Sequence, residues 1–269
     1  MLLVIDAGNT NTIFALFDGH KQMGLWRMST NVQRTCDEYA VFLKPLMVQT
    51  GVNPAVVTDA IIGSVVPDLN FNLIKLCRDY FSCDPLLVGS PEVETGIKID
   101  IDRPEELGAD RLINAVASVA KYKTPILIID FGTATTFDVI DSDGTYCGGA
   151  IAPGINLSLR ALHMAAAKLP SVAVERPPQV IAKGTVSAIQ SGIFWGYVGL
   201  IEGLLSRIKQ EFGAPMTVVA TGGLALLFTD SITEIDHLDD DLTLSGLALI
   251  FERNKRVNAD YPLKAVTTA

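Results

Sequence analysis

"PILIIDFGTATTFDVIDSDG", residues 125–144, and "MLLVIDAGNTNTIFALFDG", residues 1–19, are two versions of one pattern. Each begins with a short apolar run, Leu2 to Ile5 in one and Ile126 to Ile129 in the other. An acid and a glycine follow, Asp6 with Gly8 and Asp130 with Gly132. Small hydroxyl and amide residues come next: Asn9, Thr10, Asn11 and Thr12, then Thr133, Thr135 and Thr136. A second apolar run ends at a turn, Asp18-Gly19 or Asp143-Gly144. The offset that carries Asp6 onto Asp130 also carries Gly8 onto Gly132 and Thr12 onto Thr136. That offset is far longer than the roughly 20–50 residues of a solenoid repeat, so it marks one subdomain used twice.

The segments around the two copies alternate between strand and helix patterns. The first copy predicts a hairpin with strands over 2–7 and 11–17. "TCDE", Thr35 to Glu38, is a capping box that starts a helix to about Gln49, with Pro45 predicting a kink. Residues 60–66 read as a buried strand, 68–81 as a helix by the spacing of its apolar residues, and 85–89 as a short strand. "GIKIDID", 96–102, alternates as a half-buried strand does, and 104–122 reads as a helix with Pro and two Glu in its first turn. After the second copy, "GGAIAPG", 148–154, reads as a glycine-rich loop. Helices are expected over 156–168, 186–212 and 239–255, with a strand over 215–223. The expected fold is therefore α/β, with two related subdomains, 1–120 and 121–258, a central ligand cleft, and a tail over 259–269.

A tight turn between two strands exposes backbone N–H groups, and glycine lets that backbone approach a ligand closely. Small hydroxyls add donors without bulk, so such a turn suits a phosphate. The acid at the strand end suits a metal ion or its waters. "ATGG", Ala220 to Gly223, offers a third close backbone approach, suited to a nucleoside. Neither GxxxxGK[ST] nor GxGxxG occurs, which excludes a Walker loop and a dinucleotide fingerprint of those forms.

Composition narrows the function classes. The chain of 269 residues is 49 % hydrophobic, enough for a substantial core. Its net charge of −9, without a basic run, argues against a nucleic-acid surface. The four cysteines form no CxxC pair, and with three histidines no zinc spacing appears, so the thiols read as reduced and buried. No run approaches the roughly 18 apolar residues of a membrane span, and the N-terminus lacks a cationic region. The expectation is a cytoplasmic protein with no membrane and no nucleic-acid partner.

In order and spacing, "DAGNT" (6–10), "DFGTATT" (130–136) and "TGG" (221–223) resemble the two phosphate loops and the adenosine loop of the sugar kinase and actin superfamily. The resemblance implies two ribonuclease H-like, actin-like ATPase subdomains. Between the loops stands "GADR", Gly108 to Arg111, early in a helix. Asp110 and Asn114 share a face there, and an acid beside an arginine supplies a proton acceptor and an anchor for a substrate carboxylate.

DAGNT, GADR and DFGTATT together resemble type III pantothenate kinase. That resemblance implies ATP-dependent phosphorylation of pantothenate, with Asp110 as proton acceptor. Asp6, Ala7, Gly8, Asn9, Thr10, Asn11, Thr12, Ile13 and Thr133 would contact ATP. Gly108, Ala109, Asp110, Arg111 and Thr185 would contact pantothenate. Asp130 would bind a monovalent cation, K+ or NH4+, and Mg2+ would accompany ATP in a homodimer. Family members often carry Tyr before GADR where this chain has Ile101, which implies either a more apolar pocket edge or compensation by another residue. The other readings are a phosphatase or another small-molecule kinase on the same fold, and an accessory factor in gene regulation. His163 reads as a packed or surface residue, and Trp195 and Tyr197 as core or dimer interface.

Overall fold

A computed structural model describes residues 1–166 and 169–260. Of the expected tail over 259–269, residues 261–269 lie outside the described residues. In chain order the first elements are β1 (Leu2–Ala7), β2 (Asn11–Asp18), β3 (Lys21–Ser29), α1 (Cys36–Gln49), β4 (Asp59–Ser64), α2 (Pro67–Phe81), β5 (Pro85–Leu87) and α3 (Ala109–Lys121). The second series is β6 (Ile126–Phe131), β7 (Ala134–Ile140), β8 (Tyr146–Pro153), α4 (Ile155–Ala165), α5 (Thr185–Phe212), β9 (Thr217–Thr221), α6 (Ala225–Thr229), β10 (His237–Leu238) and α7 (Leu242–Asp260).

The described chain forms two compact units, one of residues 1–97, 105–117 and 242–260, the other of 98–104 and 118–241. The first holds a sheet ordered β3-β2-β1-β4-β5, and the second a sheet ordered β8-β7-β6-β9-β10. The two orders are the same once β1 is matched to β6. In each, the central strand pairs antiparallel with the next strand of its hairpin and parallel with the strand on its other side. The duplication legible in the sequence is thus a duplication of topology.

The registers correct one detail of the alignment. Leu2 pairs with Phe17, whereas its equivalent Ile126 pairs with Ile140. The second hairpin turn is therefore one residue shorter, and Thr12 matches Thr135 rather than Thr136. Both of these threonines are fully buried.

In the first unit the apolar runs of β1 and β4 are buried on both faces, as strands covered by helices must be. One face packs on α1 and α2 through Leu3, Ile5, Leu43, Met47, Leu69 and Leu73. Burying each such side chain contributes about 1.5–3 kcal/mol. The α1 capping box forms as expected: the Thr35 amide donates to Glu38 Oε2 at 2.8 Å, and the Glu38 amide donates to Thr35 Oγ1 at 3.3 Å. The helix runs on through Pro45. The other face carries α3 and α7. Ile113 of α3 and Leu247 of α7 both lie over Gly63 of β4, and a Cβ on Gly246 would fall 2.4 Å from the Ile113 carbonyl oxygen. The Thr243 hydroxyl donates to Asn114 Oδ1 at 2.7 Å.

In the second unit, α5 packs Phe194, Tyr197, Val198, Ile201 and Leu205 against Leu127, Ile129, Phe131 and Phe137 of the sheet. Phe228 of α6 stacks on Phe194 with ring centroids 5.2 Å apart, and on Phe131 at 5.7 Å. Among the described residues, α5 is the helix long and apolar enough by composition to cross a membrane. Its length includes the whole apolar face that builds this core.

Four local features differ from what the sequence predicts. Residues 148–154 are not a loop, for all but Gly154 belong to β8, which pairs with β7 through a bulge beside Val139 and Ile140. The glycines admit close backbone approach at that bulge, and the ladder outweighs their poor strand propensity. Residues 96–102 alternate in sequence but form only a single bridge, Ile99 with Tyr146, where two backbone bonds meet one residue of β8. The edge strand β3, mostly exposed, follows from the turn at Asp18-Gly19 but lacks a strong apolar alternation of its own. Asp239, expected as the first residue of the last helix, precedes α7 and accepts bonds from Lys121 Nζ at 2.8 Å and the Tyr122 hydroxyl at 2.9 Å.

Candidate active site

In the first unit, Asp6 lies at the end of β1, paired in register with Ile13 on one side and Gly63 on the other. The turn that follows closes through a bond from the Gly8 amide to the Asn11 carbonyl at 3.0 Å. Asn9, Thr10 and Asn11 are exposed at its tip, Gly8 and Ile13 are half-buried, and Ala7 and Thr12 are buried. Thr30, just beyond β3, braces the turn from the side. Its hydroxyl donates to the Gly8 carbonyl at 2.6 Å and meets Thr12 Oγ1 at 3.0 Å, while its amide donates to the Thr10 carbonyl at 2.9 Å. The Thr12 hydroxyl therefore holds the loop's shape, and the tip supplies the exposed donors.

The same unit carries the start of α3. Ile113 sits over Gly63, the register partner of Asp6, so the helix is docked on the strand that flanks the β1 acid. The helix begins where the Leu112 amide bonds the Gly108 carbonyl at 3.1 Å. Gly108, Ala109, Asp110 and Arg111 are all half-exposed. Asp110 Oδ1 accepts from the Arg111 amide at 2.8 Å, and a side chain at Gly108 would fall 2.7 Å from that same oxygen. Gly108 thus stands just before the helix rather than within its first turn, and it leaves room for the carboxylate to fold against the helix start. Asn114, one turn on, is buried and committed to Thr243, so it serves docking of the helix.

In the second unit, Asp130 occupies the equivalent strand end, paired with Thr136 and with Thr221 of β9. It is half-buried, with the same burial pattern along its strand as Asp6 has along β1. Three segments converge at its turn. Gly132 and Thr133 are exposed, and the Gly132 amide bonds the Ala134 carbonyl at 3.1 Å. The Gly154 amide, at the β8–α4 junction, bonds the Thr133 carbonyl at 3.2 Å. Gly154 caps α4 without any side-chain bond, so free helix-start amides sit next to the turn, an arrangement suited to a phosphate. The TGG turn comes from the other side. Gly222 has φ +94°, and a Cβ there would lie 2.4 Å from Asp130 Oδ1 and 2.7 Å from the Phe131 amide nitrogen. Only glycine meets both the backbone conformation and the space.

Two further groups shape this half. The Thr135 hydroxyl is in a short hydrogen bond with the Tyr197 hydroxyl of α5, the counterpart of the Thr12–Thr30 brace. Burial, joined by the negative charge of Asp130, pushes the Tyr197 phenol up to about 12. Behind Asp130, the Thr136 hydroxyl donates to Asp138 Oδ2 at 3.0 Å and the Tyr146 hydroxyl donates to Asp138 Oδ1 at 2.7 Å. Asp138 is fully buried, so its carboxyl is satisfied by these donors rather than by water. Thr185 is the exposed first residue of α5, next to the Gly184 cap. His163 is exposed, with Nδ1 2.8 Å from the Leu169 carbonyl.

Among the described residues, no group of three or more His, Cys, Asp or Glu side chains forms a metal cluster. Asp6 and Asp130 are single carboxylates beside backbone-rich turns. Such donor sets suit an ion that is shared with phosphate oxygens or a weakly held monovalent cation. Sequence reasoning did not find Thr30, Gly154, Tyr197 or Asp138. The first three act across the chain on the turns, and Asp138 would have been visible only as an acid at a core-facing strand position.

Residues 2–207 match the model of a family described as type III pantothenate kinase. A type III pantothenate kinase from Paramagnetospirillum magneticum is 61 % identical over 94 % of this chain and 98 % of its own length. Among solved structures, a Campylobacter jejuni protein described as a Baf family transcriptional activator superposes with a TM-score of 0.60 at 19 % identity, covering 94 % of this chain and 99 % of that one. A Sinorhizobium meliloti protein described as a 2-dehydro-3-deoxygalactonokinase gives 0.57 at 13 % identity, covering all of both chains. At those identities the structural likenesses establish the actin-like and sugar-kinase fold and nothing more.

Proposed function

This chain belongs to the type III pantothenate kinase family and phosphorylates pantothenate with ATP, the first step of coenzyme A biosynthesis; from that premise we propose which of its residues carry the reaction. The observation that carries the assignment is the start of α3, where Asp110 folds against the Arg111 amide on a helix docked beside the β1 acid.

Asp110 accepts the proton of the pantothenate hydroxyl as that oxygen attacks the γ-phosphorus of ATP. Its Oδ1 is oriented by the Arg111 amide, which leaves Oδ2 to take the proton. Arg111, with Gly108 and Ala109, holds the pantothenate carboxylate through a two-pronged contact, and Thr185 adds a hydroxyl. The turn from Asp6 to Ile13 and the turn at Thr133 bind ATP phosphates through exposed amides and hydroxyls. Magnesium, held by Asp6 and phosphate oxygens, would neutralise charge on the transferring group. Asp130 would hold potassium or ammonium.

The test is ADP release measured with and without pantothenate. Turnover is expected to depend on pantothenate. Arg111→Lys is expected to raise KM for pantothenate about tenfold or more with a smaller change in kcat, because a lysine keeps the charge but loses the fork, worth about 1.5 kcal/mol or more. An unchanged KM would remove Arg111 from the substrate site.

We also propose that the working enzyme is a cytoplasmic homodimer. Ile151, Met164 and Ile181 of the second unit are 64 %, 84 % and 83 % exposed, and a second copy of the chain would cover such side chains. Sedimentation equilibrium at micromolar concentration is expected to give the mass of two chains. A monomer with full activity would overturn this. The acidic balance of −9 fits small-molecule substrates better than nucleic acid or an anionic membrane surface.

A further inference from the structure

The C-terminal turn of α2 brings together two cysteines that the sequence keeps six positions apart. Ser82 takes the left-handed conformation, φ 55°, and folds the chain back. The Cys83 amide then donates to the Cys77 carbonyl at 3.2 Å, and the Cys83 thiol approaches the same carbonyl at 3.9 Å. Both bonds converge on Cys77, so the turn sets the two cysteines side by side. Their settings differ. Cys77 is fully buried in the first unit's core, whereas Cys83 is partly exposed. A surface cavity of about 390 Å³, lined by Arg78, Ser82, Cys83 and Asp84, opens onto Cys83. A small molecule thus reaches one sulfur directly and the other only through it.

The electrostatics separate the two sulfurs in the same sense. The neighbouring Cys77 thiol lowers the Cys83 thiol below the ordinary value, against burial and the charges of Asp59 and Asp84. The Cys83 side chain, and then burial, raise Cys77. The other two cysteines are poor competitors. Burial is the first cause that raises Cys36, followed by Asp37, and burial and then Asp141 raise Cys147. Nucleophilic reactivity of a thiol follows its thiolate fraction and its access.

We propose that Cys83 and Cys77 form a hydroperoxide-reactive dithiol site, in which Cys83 is oxidised first and Cys77 closes an intramolecular disulfide. The Cys83 thiolate attacks the terminal oxygen of the hydroperoxide. The O–O bond breaks, and the departing oxygen takes a proton and leaves as water or an alcohol. Cys83 is then a sulfenic acid. The Cys77 sulfur attacks the Cys83 sulfur, the S–O bond breaks, and the hydroxyl leaves as water with the Cys77 proton. Two thiols have lost two electrons, and one hydroperoxide has gained them. The site lies outside the residues assigned to ATP and pantothenate.

The experiment uses the full reduced chain treated with hydrogen peroxide, quenched in denaturant, alkylated and mapped by mass spectrometry. The expected product is a Cys77–Cys83 disulfide, reversed by dithiothreitol, with Cys36 and Cys147 still alkylated. Cys83 is expected to lose alkylation about tenfold faster than Cys147. Cys77→Ser is expected to stop at a Cys83 sulfenic acid that dimedone captures, and Cys83→Ser to leave Cys77 unoxidised. The wild-type time course stands on its own should Cys77→Ser fold poorly, since Cys77 is buried. Oxidation of Cys147 while Cys77 and Cys83 both remain alkylated would overturn the proposal. So would a disulfide joining Cys83 to any sulfur other than Cys77.

Discussion

Asp110→Asn is expected to lower kcat by ~10²–10⁴ while leaving the fold and pantothenate binding nearly unchanged. The substitution is suited to the question because of how Asp110 is held. Its Oδ1 accepts the Arg111 amide, and the amide oxygen of asparagine accepts the same bond. Asparagine also has the same shape, so the space left by Gly108 still receives it. What disappears is the capacity to accept a proton. The measurement is kcat and KM by ADP release, with thermal unfolding as the control for folding. A variant that kept more than half of the wild-type kcat, at unchanged unfolding temperature, would show that another group takes the proton.

Asp130→Ala is expected to cut kcat/KM for ATP by on the order of tenfold to a hundredfold and to abolish any difference between potassium and sodium, the loss of one charged contact being about 1.5–3 kcal/mol. Asp130 ends an apolar strand and is half-buried, with its Oδ1 close to the Gly222 turn. An anion in that setting repels a triphosphate unless a cation lies between them. Asp6, its topological twin, flanks the α3 start in the first unit and is assigned to the magnesium side. Asp6→Ala is therefore expected to impair ATP use yet retain a response to potassium. Potassium chloride titrated against sodium chloride at constant ionic strength, for the wild type and both variants, reads this directly. Equal wild-type rates in the two salts would refute the cation site, whatever the variants did.

How much of the site was legible in the sequence differs from residue to residue. Asp6, Gly8, Asp130 and Gly132 were legible because a strand end followed by a tight turn leaves a local signature: an apolar run, an acid and a glycine. GADR was legible because an acid beside an arginine follows a glycine there, and the structure places that glycine just before α3, where it leaves room for the Asp110 carboxylate. Thr12 was legible as a residue of the turn but not in its role. Nothing local says that its hydroxyl turns inward to Thr30 or that its twin is Thr135, since that twin depends on a turn shorter by one residue.

The sequence by itself determined the duplication, the α/β alternation, the capped start of α1 and the position of each acid at its strand end. All of these rest on hydrogen-bond periods and turn chemistry that act over a few neighbouring residues. Only the tertiary structure decided which partners those segments would take. It made a strand of the glycine-rich stretch at 148–153, because β7 offered a ladder that outweighed the weak propensity of glycine. It assigned α7, the last helix of the described chain, to the first unit, because Gly246 lets that helix settle on Ile113. It tied the turns after Asp6 and Asp130 to Thr30 and Tyr197, and it brought Cys77 and Cys83 together through one left-handed residue. Each of these outcomes depends on steric fit and hydrogen bonding between residues set side by side only when the chain folds, and no local period records them.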